Sequence, residues 1–344
     1  MRTMILAALR ALTKYYPFQQ PRANLLNRLP DVPTDFGMFE AKHGIKYVAF
    51  PCGQDYIVKN LFWFGDFEPW ITTAIRCLVR PGEVVCDIGA NIGDTALQIL
   101  PYVGSLGRIY CFEPVPFLQE CLTKNLKANG VSCVTLVPKA LSNFSGQLPM
   151  TVEGTHFGLA RITKDNDTNL RQENIQVDVT TFDTWLKHSD ISQIAVCKID
   201  VEDHELEVLE GMKNSLNASQ IGSIVFERHG EFDASDPVVQ LLNNYHYRLF
   251  RIYKGFLRIE AIELLVQQGG SLHTIPIRPH PPAPSPKQDP STHLGERFRV
   301  RADSYTNLRH RALDSKTNFR ETCDYIAVRE GSIFENRLHS LIKR

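Results

Sequence analysis

Asp87-Ile-Gly-Ala-Asn-Ile-Gly-Asp94 joins a short apolar run, Glu83-Val-Val-Cys-Asp-Ile88, to a segment with helical spacing, Asp94 to Leu100. An apolar run of that length, bounded by turn signals, reads as a buried strand. Gly89 to Gly93 is then a strand-to-helix turn, and in an open α/β sheet such turns lie at the carboxyl edge, where ligands bind. Gly89 and Gly93 carry no side chain, so a ligand can come close to the backbone there. The spacing is G-x-x-x-G, which differs from the G-x-G-x-x-G that cradles a dinucleotide pyrophosphate.

The same alternation continues on both sides of this loop. Upstream, Trp70, Ala74, Cys77 and Leu78 recur at helical spacing between Glu68 and Val79, and Pro81-Gly82 ends that helix. Downstream, Arg108 to Phe112 is a predicted strand, Val115 to Asn129 a helix with Pro116 in its first turn, and Val131 to Val137 a third strand. Ile194 to Ile199 and Ile221 to Phe226 follow as strands, with helices over Asp203 to Leu216 and Pro237 to Tyr247. Tyr247 to Tyr253 and Cys323 to Arg329 complete the set. The expected fold is α/β: a doubly wound, mostly parallel seven-stranded sheet, Rossmann-like, with an antiparallel last strand.

Two stretches interrupt the pattern. Gln147 to Val152 and Ile175 to Thr181 look like an antiparallel excursion joined by a polar stretch. The proline-rich run from Thr274 to Pro286 suits neither a central strand nor a helix interior, and it marks an exposed insertion at about 266–320. The chain therefore divides into a helical arm and lead-in (1–64), a main domain (65–330) and a tail (331–344).

Bulk composition narrows the function classes. Lys plus Arg and Asp plus Glu both number 38, which leaves no positive excess for a nucleic-acid binder. A small-molecule or carbohydrate partner fits better. The eight cysteines include no C-x-x-C pair and no zinc spacing. Cys86, Cys111, Cys197 and Cys323 lie in apolar runs, as buried thiols do, which points to a reducing, cytoplasmic setting. No run of about 20 apolar residues offers a membrane span. Arg2, Arg10, Lys14, Arg22 and Arg28 leave peripheral membrane contact by the N-terminal arm open, beside its packing on the domain or on a partner subunit.

A second feature joins the glycine loop. Glu113 ends the second strand, where a carboxylate accepts hydrogen bonds from both hydroxyls of an adenosine ribose. S-adenosylmethionine, NAD and FAD all carry that ribose. A sulfonium ligand has no phosphate to neutralise, and its amino-acid end calls for backbone donors and a nearby carboxylate, a role open to Asp87. An ordinary strand-end charge is the alternative reading of Glu113; beside the glycine loop, ribose binding is the favoured one. The three stretches Asp87-Ile-Gly-Ala-Asn-Ile-Gly93, Phe112-Glu-Pro114 and Lys198-Ile-Asp-Val-Glu-Asp-His-Glu-Leu-Glu-Val-Leu-Glu-Gly211 resemble the FkbM methyltransferases. The resemblance runs from about Gly65 to Tyr253. It departs at Asp203, where the family usually has glycine. It implies a class I methyltransferase fold, S-adenosylmethionine as methyl donor, and O-methylation of a hydroxyl on a sugar, glycan or secondary metabolite. It places the cofactor against Asp87, Gly89, Asn91, Gly93 and Glu113, with Glu68 covering it and Ser142 near the adenine.

The chemistry would sit at the ends of the fourth and fifth strands. In an alternating strand Lys198, Asp200 and Glu202 point to one side, and Glu227 and His229 end the neighbouring strand. Asp200 or His229 can take an acceptor proton, with Glu227 and Lys198 beside them. Alternatively Asp200, Glu202, Glu227 and His229 hold a divalent metal, or Lys198, Asp200 and Glu227 form a charge network that orders the strand ends. The aromatic run Phe62-Trp-Phe-Gly-Asp-Phe-Glu-Pro-Trp70 serves the core or stacks on a ligand. His188, His204 and His246 read as lone surface or packing histidines, and Arg297, Arg299, Arg301, Arg309 and Arg311 as a solvated basic face. Two other function classes stand beside a methyltransferase: a nicotinamide-dependent oxidoreductase, and a non-catalytic assembly protein that keeps the cofactor fold.

Overall fold

The computed structural model describes residues 2–14, 22–33, 37–48, 55–153, 156–162, 172–228, 235–254, 259–263, 274–276 and 324–340. Ahead of the sheet come α1 (Arg2–Thr13), α2 (Arg22–Leu26), the hairpin strands β1 (Met38–Glu40) and β2 (Lys46–Val48), α3 (Tyr56–Phe64) and α4 (Pro69–Leu78). Then β3 (Val84–Ile88), α5 (Asp94–Val103), β4 (Arg108–Phe112), α6 (Pro116–Ala128) and β5 (Val134–Val137) alternate. The excursion holds β6 (Ala140–Leu141), β7 (Gly146–Glu153), β8 (His156–Ile162) and β9 (Gln172–Thr180). Next come α7 (Phe182–Lys187), β10 (Ile194–Ile199), α8 (Glu205–Glu210), α9 (Lys213–Asn217), β11 (Ile221–Glu227), α10 (Pro237–Asn244) and β12 (Tyr247–Lys254). Strands β13 (Ile259–Glu263), β14 (Thr274–Pro276) and β15 (Asp324–Arg329) precede α11 (Ile333–Ser340).

The main sheet runs β14-β13-β12-β15-β11-β10-β3-β4-β5. Strands β5, β4, β3, β10 and β11 pair in parallel, and β15 inserts antiparallel between β11 and β12. This is the expected mostly parallel seven-stranded sheet with an antiparallel last strand. Strands β13 and β14 extend it by an antiparallel edge that the sequence pattern did not predict. The edge strand contains the start of the proline-rich run, and Pro276 is tolerated there because an edge leaves its missing N–H without consequence. The remainder of that run lies outside the described residues. Strand order reverses between β3 and β10, so a crevice opens beyond their carboxyl ends.

Every residue of β10 is buried, as a strand covered by helices on both faces must be. Cys77, Cys86, Cys111 and Cys197 are buried free thiols in this core; Cys323 falls outside the described residues. The lead-in shares the core, since Leu26, Phe39, Tyr47 and Leu61 join Val85 and Ile109 in one apolar cluster. Phe62, Trp63 and Phe64 are buried there too, which settles those three aromatics as core. Helix α1 packs on α3: Thr13 donates to the Trp63 carbonyl at 2.6 Å, and Arg10 donates to the Phe62 carbonyl at 2.8 Å while stacking over its ring. Among the described residues no helix is long and apolar enough to cross a membrane.

Three local expectations differ from the structure. The predicted helix from Asp203 to Leu216 starts only at Glu205, because Glu202 and Asp203 take left-handed conformations (φ 52° and 70°). It then breaks after Glu210, where Gly211 lies so close to Ser142 that a Cβ would sit 2.1 Å from its carbonyl oxygen. The third strand begins at Val134, since the Val131 N–H closes the turn after α6 by donating to Leu126. In the excursion, β7 and β9 pair antiparallel along their full length, and the intervening stretch adds β8.

Candidate active site

A cavity of about 400 Å³ fills the crevice, walled by the glycine loop, the end of β4, the segment after β5 and the ends of β10 and β11. The loop is built by its own backbone. Gly89 and Ala90 both donate N–H groups to the Phe112 carbonyl, at 3.1 and 3.0 Å. Gly89 has φ +77°, and a Cβ there would lie 1.8 Å from the Asp200 carbonyl oxygen. Gly93 has φ +82° and faces Leu122. Both glycines are thus required by left-handed backbone and by close packing of the chain on itself, in addition to any ligand.

Glu113 closes this frame. One of its oxygens accepts from the Asn91 N–H at 2.8 Å, the other from the Val115 N–H at 2.9 Å. Burial pushes its carboxyl up to about 7, against the opposing pull of those two N–H groups and of Lys198. A carboxylate oxygen can accept more than one hydrogen bond, so both keep capacity toward the cavity that Glu113 lines.

Register places Lys198 beside Asp87 across the β10–β3 pair. The Lys198 ammonium lies 3.3 Å from Asp87 Oδ1, an ion pair looser than a well-formed hydrogen bond, and 3.1 Å from Asp200 Oδ2. It also donates to the Gly89 carbonyl at 3.2 Å. Burial pulls its pKa down, but Asp200, Asp87 and Glu68 outweigh that and raise it, so Lys198 stays charged. Asp87 is fully buried and is not among the cavity-lining residues; burial raises its pKa while Lys198 lowers it.

Carboxylates crowd the β10–β11 edge. Glu68, Asp200, Glu202 and Glu227 line the cavity, and Asp324 faces Glu227 across the β11–β15 pair. Burial, then the charges of Asp200, Asp324 and Glu227, holds the Glu68 carboxyl well above its ordinary range. Glu202 reaches the cavity from a left-handed turn; strand alternation ends at Ile199 and does not carry it there. Arg228 supplies a second cation, 3.2 Å from Asp236 and 3.8 Å from Glu205. Among the described residues no three Asp, Glu, His or Cys side chains are arranged to hold a metal ion. His229 lies outside the described residues.

Residues 87–249 match the methyltransferase FkbM domain. These residues are an FkbM domain. The hexuronic acid methyltransferase AglP of Haloferax volcanii is 29% identical over 180 residues, and the match covers 49% of this chain and 66% of that protein. The 31-O-demethyl-FK506 methyltransferase FkbM of Streptomyces tacrolimicus is 28% identical over 197 residues, covering 49% of this chain and 74% of that protein. The solved methyltransferase FkbM of Methylobacillus flagellatus is 16% identical, covers 58% of this chain and 52% of that chain, and superposes with a TM-score of 0.34.

The FkbM domain accounts for part of the cavity wall only. Asp55, Tyr56, Phe67 and Glu68 reach it from the chain before residue 87. Sequence reading named Glu68 among these and missed Asp55 and Tyr56. It also missed Asp94, which lines the cavity from the first turn of α5. Ser142 is fully buried and is not among the lining residues; its hydroxyl lies 2.9 Å from His204 Nε2. Lys139, Ala140 and Leu141 line the wall there instead, and His204 lines it as well as packing on Ser142.

Proposed function

We propose that this chain is an S-adenosylmethionine-dependent methyltransferase that O-methylates a hydroxyl on a sugar, glycan or secondary metabolite. The observation that carries the reading is Glu113: a buried carboxylate, anchored by the Asn91 and Val115 N–H groups, at the rim of a cavity at the switch in strand order. The methyl donor supplies an electrophilic methyl group when bound. Glu113 would hold the ribose hydroxyls, and the segment from Lys139 to Leu141 would flank the adenine. Gly89, Asn91 and Gly93 shape the loop beneath, and Glu68 covers it. The FkbM domain supports methyl transfer, and a relative whose name gives a sugar acid as its substrate supports a carbohydrate acceptor.

Displacement at the methyl carbon needs mainly positioning, and a hydroxyl acceptor needs somewhere for its proton to go. Asp200 lines the cavity with one oxygen held by Lys198, which leaves the other to receive that proton. Glu227 stands beside it, and His229 is the second candidate. Calorimetry should show S-adenosylhomocysteine binding in the micromolar range, about −8 kcal/mol. Binding of NAD with no heat from either adenosyl compound would instead favour a nicotinamide enzyme. Once an acceptor is in hand, Asp200→Asn should lower turnover by roughly 10²–10⁴-fold at unchanged cofactor affinity. Dependence of that turnover on a divalent ion would move the role to a metal.

A further inference from the structure

Asp94 is buried to 7% exposure, lines the cavity, and forms no ion pair among the described residues. Its two oxygens are held by neutral donors. The Tyr47 hydroxyl donates to Oδ1, and Gln98 Nε2 donates to Oδ2 at 2.8 Å. Tyr47 is itself buried and comes from β2, ahead of the FkbM domain. Gln98 also reaches the Phe67 carbonyl at 3.4 Å, which ties the group a second time to chain that precedes the FkbM domain. The start of α5 adds only a partial positive field. A buried carboxylate without a cation is costly unless something supplies one, and the open side of Asp94 is the cavity.

Asp87, the carboxylate that the sequence points to for a cationic ligand end, is already paired with Lys198 and is not among the lining residues. Topology separates the two ends of a ligand held at Glu113. From β4 toward β5 lie Ala140 and Leu141; from β4 toward β3 lie the glycine loop, Asp94 and, across it, Tyr56 and Phe67. An adenosyl ligand with its base on the β5 side directs its amino-acid end to the β3 side.

We propose that Asp94 is the counter-charge for the α-ammonium of the bound adenosyl amino acid, and that Tyr47 is a positioning residue that aims it. The inference rests on the S-adenosylmethionine reading above. It makes a hairpin that lies before the family domain a support of the cofactor site.

Two probes separate it from a structural role. S-adenosylhomocysteine carries the ammonium and no sulfonium; 5′-methylthioadenosine keeps the nucleoside and lacks the amino acid. Calorimetry on the full chain should show Asp94→Asn weakening S-adenosylhomocysteine by about 10- to 100-fold, the range for a hydrogen bond to a charged group. Binding of 5′-methylthioadenosine should change less than about 2-fold by the same scale. Tyr47→Phe should show the same selective loss at smaller size, at a melting temperature that shows the fold intact. Equal losses for both probes in both variants, or unchanged S-adenosylhomocysteine binding, overturn the assignment. A wild-type chain that binds neither probe sinks the cofactor reading and this inference with it. A wild type that binds both, with a selective loss absent from the variants, sinks this inference alone.

Discussion

On the β3–β4 side of the cavity, Glu113 and Asp94 are held by neutral donors: two backbone N–H groups, a phenol and an amide. On the other side, from Lys198 on β10 to Arg228 just past β11, Asp87 of β3 and Asp200 share the Lys198 ammonium, and Asp236 and Glu205 share Arg228. The first side holds its carboxylates in place and leaves their charge for a ligand to meet. The second carries its own counter-charges, so its order depends on the cations. Burial of a charge is tolerable in both, for different reasons.

The largest break in that contrast is Lys198→Met. It leaves Asp87 buried with no cation, and stability should fall by about 3–5 kcal/mol in urea unfolding. Adding Asp87→Asn in the same chain should recover part of the loss. A single variant as stable as wild type would mean that Lys198 does not organise this edge. Cutting the other side should leave the fold and hit the ligand. Glu113→Ala is expected to weaken S-adenosylhomocysteine by about 1.5–3 kcal/mol, and Glu113→Gln by less, because the amide oxygen still accepts from the backbone. Unchanged affinity in the Ala variant would place the ribose elsewhere.

The smallest effect sharpens the comparison by pH. Glu113 and Asp94 both sit at about 7 in the folded chain, raised chiefly by burial from ordinary carboxyl values. A raised carboxyl favours the folded state in its protonated form. That contribution is full below the unfolded value, near 4.5 for Glu113 and 3.8 for Asp94, and is lost as pH rises through about 7. The unliganded protein should therefore gain about 1 kcal/mol per group on going from pH 8 to 6. Glu113→Gln should flatten part of that slope. A melting temperature that falls over the same interval would show that another group dominates.

Much of the fold was legible because parallel strands buried on both faces read as continuous apolar runs, as Ile194 to Ile199 does. The place of Glu113 on the cavity wall was legible for a related reason: in the parallel part of the sheet, the residue that follows a strand lies at the carboxyl edge. Asp94 was not, because its meaning depends on Tyr47, which is distant in sequence and belongs to a two-stranded hairpin too short to signal itself. Asp324 was missed because it begins a strand; only the antiparallel insertion of β15 brings that beginning to the edge where parallel strands end. Asp87 was assigned to a ligand because the pairing register that gives it to Lys198 is a property of two strands together. Glu202 was assigned by alternation past the point where the strand stops.

The insertion of β15 between β11 and β12 also sets an order of assembly. Strands β5, β4, β3, β10 and β11 come from one stretch of chain, whereas Ser223 on β11 must wait for Val328 on β15. During synthesis the open edge of β11 has no partner until the last strand emerges. Lengthening the intervening chain costs little at equilibrium, about 0.6 kcal/mol for each doubling of a flexible loop, but it delays the encounter. Asp324 arrives with that strand, so the acidic edge is completed last, and a ribosome-bound chain that has released only residues up to β12 holds the glycine loop and Glu113 without that finished edge.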